Sequence, residues 1–226
     1  MEAIASLNAH AVAVQEITDP YVFAEAARLH LGKRWRFTYC DPCAIQRVGV
    51  LYDGSQLDLL STAIHRETEL YAGAKPAFAA RFRAKRGGPV VHVMAIHLKA
   101  GGDHAAMRRR QLGALSDVVR QAMSTGERFV LLGDFNATSP ADRAEIARLA
   151  ETSHMHWATA AVPCTSYWNR RDGCIGTALD HILTWTAPRA TAAKGPCETE
   201  GCDRRDRCPR FHHDVSDHCP VVTTLR

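Results

Sequence analysis

The motif Gly133-Asp-Phe-Asn136 ends an apolar run that begins at Phe129. Its Asp134 and Asn136 are two residues apart, and side chains at that spacing in an extended segment project to the same side. A carboxylate is a hard oxygen ligand that suits magnesium, manganese or calcium, and a neighbouring amide can orient a phosphate or a water without adding negative charge. The motif therefore predicts metal-assisted chemistry, with a simple Asx turn as the alternative.

Four further polar positions lie at the ends of apolar runs that predict strands. They are Glu16 after Ala11 to Val14, His97 within Val90 to Leu98, Asp180 before Ile182, and Asp217-His218 before Pro220 to Val222. Taken singly, such residues are more often structural, and a histidine in an apolar strand is usually a hydrogen-bonded core residue. Five positions of the same kind in one chain favour a common site.

Strand patterns outnumber helix patterns in the elements that must position these residues. The predicted strands are Ala11 to Val14, Arg47 to Tyr52, Leu57 to Ile64, Ala77 to Arg83, Val90 to Leu98, Phe129 to Leu132, Asp180 to Trp185 and Pro220 to Thr224. The predicted helices are Tyr21 to Leu31, Asp103 to Met123 with Asp103 as N-cap, and Ala141 to Ala150. Near-continuous apolar strands such as Val90 to Leu98 predict sheets covered on both faces. With 226 residues, 46% of them apolar, the chain can bury a substantial core.

The polar motifs occur in a characteristic order along the chain. This order is Gln15-Glu16, His97-Leu-Lys99, Gly133-Asp-Phe-Asn136, Leu179-Asp-His-Ile182 and Ser216-Asp-His218. It resembles the endonuclease/exonuclease/phosphatase superfamily, which includes pancreatic-type deoxyribonucleases and inositol polyphosphate phosphatases, and the resemblance spans about residues 11 to 222. It implies an α/β (α+β) fold, a four-layered sandwich of two mixed β-sheets flanked by helices. It also implies a metal-dependent phosphodiesterase.

Four residues form the metal-binding set that the resemblance implies. Glu16 is expected to be the main magnesium ligand, and Asp217 is expected to belong to the same acidic cluster. Asp134 and Asn136 are expected to bind the metal, the phosphate or the attacking water. Magnesium is the expected cofactor, with manganese or calcium as alternatives.

The resemblance also implies that His97 and His218 flank the scissile phosphate and that Asp180 orients one of the two imidazoles. Together with Asp134 and Asn136 these are the expected catalytic residues. Cationic groups are needed at such a site because negative charge builds on the phosphate oxygens during cleavage. A positioned histidine typically contributes about 10²- to 10⁴-fold as a proton donor or acceptor. The sequence leaves open which histidine Asp180 serves, and a turn cap is the alternative role for Asp180.

Substrate contacts are expected from Lys99, Tyr167 and Trp168. The two aromatic residues occupy the place of a similar Thr-x-Trp stretch in family nucleases, and they either stack on a base or sugar or pack in the core. The formal net charge of +4 permits an anionic substrate without requiring nucleic acid. Basic residues cluster at Arg81 to Arg86, at Arg108 to Arg110 and at Arg204 to Arg210. Such clusters either line a phosphate-binding groove or are solvated surface, and we favour the second interpretation for Arg108 to Arg110.

The expected function is therefore that of a magnesium-dependent, DNase-like endonuclease that leaves a 5′-phosphate and a 3′-hydroxyl. The expected partner is a DNA substrate, and we expect a monomer without stable membrane association. One alternative is a phosphoesterase of the same superfamily that acts on lipid headgroups or small phosphates. The other is a catalytically impaired module that binds phosphate or nucleic acid.

The beginning of the sequence departs from the family pattern. Family members usually open with a strand that ends in an asparagine of the acidic cluster, whereas Met1 to Asn8 predict a helix, and Asn8 does not replace that asparagine. We expect a single domain over residues 1–226 that lacks the family's first strand. Residues 1–20 contain no basic start followed by an apolar stretch, so no signal peptide is predicted.

The chain has eight cysteines, concentrated in polar segments. An even number in loops favours disulfides and an oxidising compartment, so we expect a secreted or periplasmic protein. Cys40–Cys43 and Cys164–Cys174 are the expected local pairs, and the other four cysteines are left unassigned. The alternative is a zinc site built from Cys197, Cys202, Cys208 and His212 or His213, although the spacing lacks the regular CxxC form.

Overall fold

A computed structural model describes residues 1–43 and 45–225. The helices are α1 (Glu2–Ala5), α2 (Pro20–Leu31), α3 (Ala105–Met123), α4 (Pro140–Thr152), α5 (Pro196–Thr199) and α6 (Arg210–Asp214). The strands are β1 (Ala11–Ile17), β2 (Trp35–Tyr39), β3 (Arg47–Asp53), β4 (Leu57–His65), β5 (Ala77–Ala84), β6 (Val90–His97), β7 (Arg128–Asp134), β8 (His156–Trp157), β9 (Ser166–Arg170), β10 (Gly173–Thr177), β11 (Asp180–Thr184), β12 (Ala190–Ala193) and β13 (Val221–Thr224). Among the helices of these residues, none has the length and apolarity needed to span a bilayer.

The largest sheet has six strands in the order β4-β5-β6-β7-β11-β8. Its only parallel pair among the described strands is β6 with β7, and the other neighbours are antiparallel. A second, antiparallel sheet has the order β1-β3-β2, and two-stranded sheets are formed by β9 with β10 and by β12 with β13. The parallel pair matters for the site because the carboxyl ends of β6 and β7 meet at one edge of the large sheet.

Apolar side chains from both sheets form the layers of the fold. Helices α3 and α4 cover one face of the large sheet around Leu115 and Leu131. The opposite face packs against the three-stranded sheet through residues such as Val50 and Phe82. Helix α2 closes the outer side of the second sheet over Leu51. The expected four-layered sandwich of two sheets flanked by helices is confirmed, although the second sheet is antiparallel and not mixed. Strand β6 is buried on both faces as its apolar run predicts.

Several elements differ from the sequence-based expectations. Strands β2, β8, β9, β10 and β12 were not predicted, because their segments are short, polar or rich in glycine. Helix α3 begins at Ala105, and a short 3₁₀ turn over Gly102–His104 contains Asp103, which is therefore not the N-cap. The opening helix ends at Ala5, so Asn8 lies outside it, in a left-handed conformation with φ of 50°.

All eight cysteines form disulfides, which corrects part of the expected pairing. The bonds are Cys40–Cys43, Cys164–Cys202, Cys174–Cys208 and Cys197–Cys219. The pairing of Cys164 with Cys174 was wrong because Cys174 lies opposite Asn169 in the β9–β10 hairpin. Five residues of extended chain separate that position from Cys164, roughly 16 Å, which is too far for a disulfide. The zinc alternative is also excluded, since each of its three cysteine sulfurs is bonded to a cysteine outside the set, namely Cys219, Cys164 or Cys174.

Glu127 ties three strands of the large sheet together at the end opposite His97. Its carboxylate pairs with Arg81 of β5 and with His92 of β6, and these hydrogen bonds lower the pKa of Glu127 to about 2. Because the ordinary pKa is 4.5, the stability that the ionised carboxylate contributes is present above that pH and is lost as the pH falls towards 2. We expect Glu127→Gln to lower the melting temperature near pH 7, with a difference from wild type that disappears between about pH 4.5 and pH 2.

Thermal unfolding followed by circular dichroism across that pH range measures this difference. Glu151→Gln, at an exposed position of α4, controls for the loss of one negative charge. A difference for Glu127→Gln that persists unchanged down to pH 2 would contradict the assignment.

Candidate active site

Strand register places three of the predicted catalytic residues in one row. In the parallel pair β6–β7, His97 is the partner of Asp134, and in the antiparallel pair β7–β11, Asp134 is the partner of Asp180. Neighbouring strands lie about 4.8 Å apart, so the three side chains occupy adjacent positions at one end of the interior strands β6, β7 and β11. Residues 37 and 46 positions apart in the sequence thereby become neighbours.

The Asp180 carboxylate binds the imidazole of His218, which answers the question that the sequence left open. Asp180 Oδ2 accepts hydrogen bonds from His218 Nδ1 at 2.8 Å and from Thr165 Oγ1 at 2.8 Å. An isolated bridge between Ser166 and His218 holds the backbone of this segment against β9. The second ring nitrogen of His218, Nε2, is left available for a substrate. Thr165 was not anticipated as a partner of Asp180, because the stretch that contains it was considered only for its aromatic residues.

Electrostatics favour the charged form of His218. Burial alone lowers its pKa, but the Asp180 carboxylate, followed by Asp134 and Asp217, outweighs that effect and raises the pKa of His218 to about 10. The imidazolium is therefore the dominant form near neutral pH. A cation held in this position suits the stabilisation of a phosphate oxyanion.

Asp134 and Asn136 form a tight, buried turn. The backbone N–H of Asn136 donates to Asp134 Oδ1 at 2.7 Å, and its side-chain Nδ2 donates to Asp134 Oδ2 at 2.7 Å and to the Leu98 carbonyl at 3.1 Å. The Asx turn considered as an alternative is thus present within the site. Glycine is required at position 133, where φ is 138° and a Cβ atom would lie 2.1 Å from the Ile96 carbonyl oxygen. Burial, followed by the nearby Asp180 carboxylate, raises the pKa of Asp134 to about 7.

A β-bulge turns Glu16 towards this row. Val14 pairs with Gly49 and Ile17 pairs with Arg47, so β1 contains one residue more than its partner strand. Glu16 lies within the bulge with a left-handed φ of 58°. Its Oε1 is 3.9 Å from Nε2 of His97, although its side chain is 60% exposed. Bulges that redirect a side chain are common beside active sites.

His97 is a neutral imidazole enclosed by charged groups. Its Nε2 lies 3.5 Å from Asp134 Oδ2, and its buried Nδ1 has no hydrogen-bond partner among the described residues. Burial, followed by the charges of Lys75 and His218, lowers the pKa of His97 to about 4. Lys75 was not identified from the sequence, because it stands alone in a loop whose approach to β6 depends on the fold. Its effect on His97 makes it part of the electrostatic environment of the site.

The oxygen donors of the site suit a hard divalent cation. Within residues 1–43 and 45–225, no three histidine, cysteine, aspartate or glutamate side chains converge closely enough to enclose a metal ion. Magnesium commonly keeps several waters and binds through only one or two carboxylates plus substrate phosphate, so a closed cage is not required. Glu16 is a solvent-facing carboxylate close to Asp134, and its charge contributes to the raised pKa of Asp134. A bound cation would relieve that repulsion, and the residues therefore fit the cation.

The remaining predicted residues lie around this centre with different degrees of exposure. Asp217 is exposed next to His218, and its carbonyl accepts a hydrogen bond from the Tyr167 amide at 2.8 Å. Trp168 is 50% exposed, and the Arg170 guanidinium lies 5.5 Å from its ring centroid. The side chains of Asp217 and Trp168 are both accessible to a substrate. The backbone of Lys99 is fixed by hydrogen bonds from α3.

Tyr167 does not fit its expected role as a substrate contact. Its ring is only 3% exposed and packs in the apolar cluster formed by the disulfides. Its hydroxyl lies 3.0 Å from the Pro196 carbonyl, to which it donates. The alternation of side chains along β9 explains the correction, because Trp168 faces outward and its neighbour Tyr167 must face inward.

Most residues of the basic clusters are neutralised by nearby acids. Arg204 pairs with Asp172, Arg205 with Glu200, and Arg210 with Asp214. The expectation that Arg108 is solvated was wrong, since its side chain is completely buried against Asp142. Local charge density along the sequence is therefore a poor guide to the field at the surface of this protein.

Comparison with solved structures identifies the same fold. Humanized D. rerio TDP2 matches with a TM-score of 0.71 and 17% identity, covering 98% of this chain and 87% of that chain. D. rerio TDP2 complexed with a single-strand DNA product matches with a TM-score of 0.70 and 16% identity, covering 98% and 88% of the two chains. The human Nocturnin catalytic domain with bound sulfate matches with a TM-score of 0.66 and 17% identity, covering 99% and 84%. At these identities the likeness shows the fold.

Sequence comparison agrees with the structural result. No curated protein matches the sequence. The model of the endonuclease/exonuclease/phosphatase family matches residues 1–218, which include every predicted site residue. With the row of His97, Asp134 and Asp180 in place and the matched residues covering nearly the whole sequence, this chain belongs to the endonuclease/exonuclease/phosphatase family.

Proposed function

We propose that this protein is a magnesium-dependent nuclease that hydrolyses phosphodiester bonds of DNA and leaves a 5′-phosphate and a 3′-hydroxyl. The observation that carries the proposal is the Asp180–His218 pair, joined at 2.8 Å and adjacent to the Asp134–Asn136 turn. A fixed imidazolium beside carboxylate and amide oxygens supports chemistry on an anionic ester. Family membership supports a hydrolase of phosphate esters.

Each residue has a role that follows from its contacts. The imidazolium of His218 binds a non-bridging phosphate oxygen and stabilises the charge that develops there, while Asp180 fixes its ring. Asp134 and Asn136 orient the attacking water, since their turn is fixed by three hydrogen bonds of 2.7 to 3.1 Å. His97 closes the opposite side of the phosphate as a neutral hydrogen-bonding group.

Glu16 is the proposed main ligand of the magnesium ion, with Asp217 and the Asp134–Asn136 turn nearby. When bound, the cation supplies positive charge that polarises the phosphate and offsets charge on the leaving oxygen. Glu16 suits this role because its carboxylate is both exposed and within 3.9 Å of His97. Manganese or calcium would satisfy the same oxygen donors.

DNA is the substrate that the surface beside His218 supports best. Trp168 is half exposed and carries Arg170 on its ring, an arrangement that can stack on a base and neutralise a phosphate. Strand β9 connects this pair directly to Ser166, which bridges to His218. The similar D. rerio TDP2 structure contains a single-strand DNA product, which supports nucleic acid as the substrate class.

A phosphoesterase acting on lipid headgroups or small phosphates is the second candidate function. The neutralisation of the basic clusters favours it, because a long polyanion gains less binding free energy from a surface whose arginines are already paired.

The four disulfides support an oxidising, extracellular environment, and we propose a secreted or periplasmic, monomeric protein.

The proposed nuclease is tested with supercoiled plasmid and purified protein in magnesium. We expect nicking that is abolished by EDTA and lowered on the order of 10²-fold or more by Glu16→Gln, because the amide binds a hard cation poorly. Glu25→Gln, at an exposed position of α2, is the matched control and should retain wild-type activity. Magnesium should also raise the melting temperature of the wild type but not that of Glu16→Gln.

The same preparation distinguishes the candidate functions. Trp168→Ala should raise KM for single-stranded DNA by a larger factor than KM for bis(p-nitrophenyl) phosphate, since the small ester has no neighbouring nucleotide to stack on the ring. Cleavage of small esters without nicking would support the second candidate. A magnesium-dependent rise in melting temperature without turnover of either substrate would support a binding module instead.

A further inference from the structure

Arg108 is a completely buried arginine of α3 that lies outside the row formed by His97, Asp134 and Asp180. An arginine has five N–H donors, and here each one meets an acceptor. Its Nε and one terminal nitrogen donate to the two oxygens of Asp142, at 2.8 and 2.9 Å. That nitrogen also donates to Thr138 Oγ1 at 3.0 Å, and the other terminal nitrogen donates to the carbonyls of Lys99 and Gly101, at 3.0 and 2.7 Å. All five hydrogen-bond donors of the guanidinium therefore have an acceptor.

The acceptors of Arg108 belong to two separate loops. One is the loop that follows His97 at the end of β6, which we call the first loop (98–102). The other runs from residue 135, beside Asn136, through the first turn of α4, which contains Asp142, and we call it the second loop (135–142). Packing α3 against α4 requires only apolar side chains, and a buried guanidinium costs hydration free energy that an aliphatic residue would not. The placement of Arg108 therefore calls for an explanation beyond helix packing.

Gln111, one turn further along α3, also forms a hydrogen bond to the first loop. It is completely buried, and its Oε1 accepts a hydrogen bond from the Lys99 amide at 2.9 Å. Lys99 is thus held at its N–H by Gln111 and at its carbonyl by Arg108. Residues three apart on a helix face the same side, which places both side chains over this one residue.

The fixed loops are in direct contact with the reacting groups. The Leu98 amide donates to the Asp134 carbonyl at 2.9 Å, and the Leu98 carbonyl accepts from Asn136 Nδ2 at 3.1 Å. A shift of the first loop would therefore move the side chain of Asn136, which is also part of the second loop. The two loops are therefore linked twice. The Arg108 side chain bonds to both of them, and the Leu98 backbone bonds to Asn136 beside the site.

We propose that Arg108, assisted by Gln111, is a positioning residue that locks the first and second loops together and so sets the position of the Asp134–Asn136 turn. Arg108 touches no reacting atom and acts through the backbone of the loops. The inference rests on the proposed phosphodiesterase function for its effect on turnover, whereas its effect on loop order is independent of any activity.

The test compares Arg108→Lys with Arg109→Lys. Lysine keeps the charge but offers three donors from one nitrogen, so it cannot reach all five acceptors. Arg109 is the matched control, because it is the next residue of α3 and pairs with Glu145 of α4 at the surface. Hydrogen exchange at the backbone amides of both loops is measured together with kcat and KM, at a temperature well below the melting point of every variant.

We expect faster exchange in both loops of Arg108→Lys and a fall in kcat on the order of 10- to 100-fold with KM little changed, since small misplacements at a site have effects of this size. Gln111→Leu, a nearly isosteric change, should loosen the first loop and lower kcat by a smaller factor. Arg109→Lys should match the wild type in both measurements. Added guanidinium ion should partly restore kcat in Arg108→Gly, because it can enter the space that is left.

The proposal is overturned if both loops of Arg108→Lys exchange as slowly as in the wild type, or if they loosen while kcat is unchanged. If the wild type shows no turnover, the proposed function fails, and hydrogen exchange alone then decides for or against the loop lock.

Discussion

Replacing His218 with alanine is expected to lower kcat for phosphodiester hydrolysis by about 10²- to 10⁴-fold, because the variant loses the cation that faces the phosphate. Asp180→Asn should cause a loss in the same range, since an amide neither stabilises the imidazolium nor selects its orientation as the carboxylate does. Both variants should keep their folded structure, as neither side chain belongs to the apolar core. Steady-state kinetics on a small diester, with circular dichroism for the fold, measures these effects.

A double-variant cycle tests whether Asp180 acts through His218. If it does, the variant carrying both His218→Ala and Asp180→Asn should lose little more than His218→Ala alone. His213→Ala and Asp172→Asn are matched controls at exposed positions of the same region. Fully multiplicative losses in the double variant would show that Asp180 acts by a separate route and would contradict the 2.8 Å pairing as its functional contact.

Removing the Cys197–Cys219 disulfide, which adjoins His218, is expected to lower both the stability and the activity of the protein. The bond closes a loop with a sequence separation of 22, for which the chain-entropy estimate is about 3 kcal/mol. For a chain of this size the melting temperature should fall by roughly 6–12 °C in the Cys197→Ser, Cys219→Ser variant. Activity should fall too, because Cys219 is covalently next to His218 and its amide donates to the Thr165 carbonyl at 2.7 Å.

The Cys40→Ser, Cys43→Ser variant is the matched control. That bond has a sequence separation of only 3, so the same estimate gives about 1.5 kcal/mol, and it belongs to a different buried cluster from Cys197 and Cys219. Differential scanning calorimetry and kinetics on both variants provide the comparison. Equal losses of activity in the two variants would show that the Cys197–Cys219 bond has no special connection to the site.

Local sequence patterns placed the candidate site residues at the ends of strands, but they did not show which of these residues face one another. His97 and Asp134 end long apolar strands, and such strands are recognisable because burial on both faces leaves a continuous apolar run. Which residues then face each other depends on strand order, and that order is set by packing across the whole sheet. For this reason the partner of Asp180 became clear only from the position of His218 beside β9.

The register of the β9–β10 hairpin and the ion pair of Arg108 could not be predicted from local sequence patterns for a similar reason. The β9–β10 hairpin is polar and contains Gly173, so its strands carry no apolar alternation that would have shown Cys174 opposite Asn169. Arg108 lies in a run of three arginines that looks like a solvated surface, and only the approach of α4 supplies the Asp142 carboxylate that allows its burial. Both features depend on residues that are distant in the sequence.

The bulge at Glu16 places stability and activity in competition at a single position. A non-glycine residue in the left-handed region costs about 1 kcal/mol, and glycine or asparagine would occupy the same backbone more cheaply. A search for stabilising substitutions would therefore favour variants that discard the carboxylate. Selection for heat resistance alone would therefore act against the carboxylate at this position, whereas selection for the proposed metal binding would preserve it.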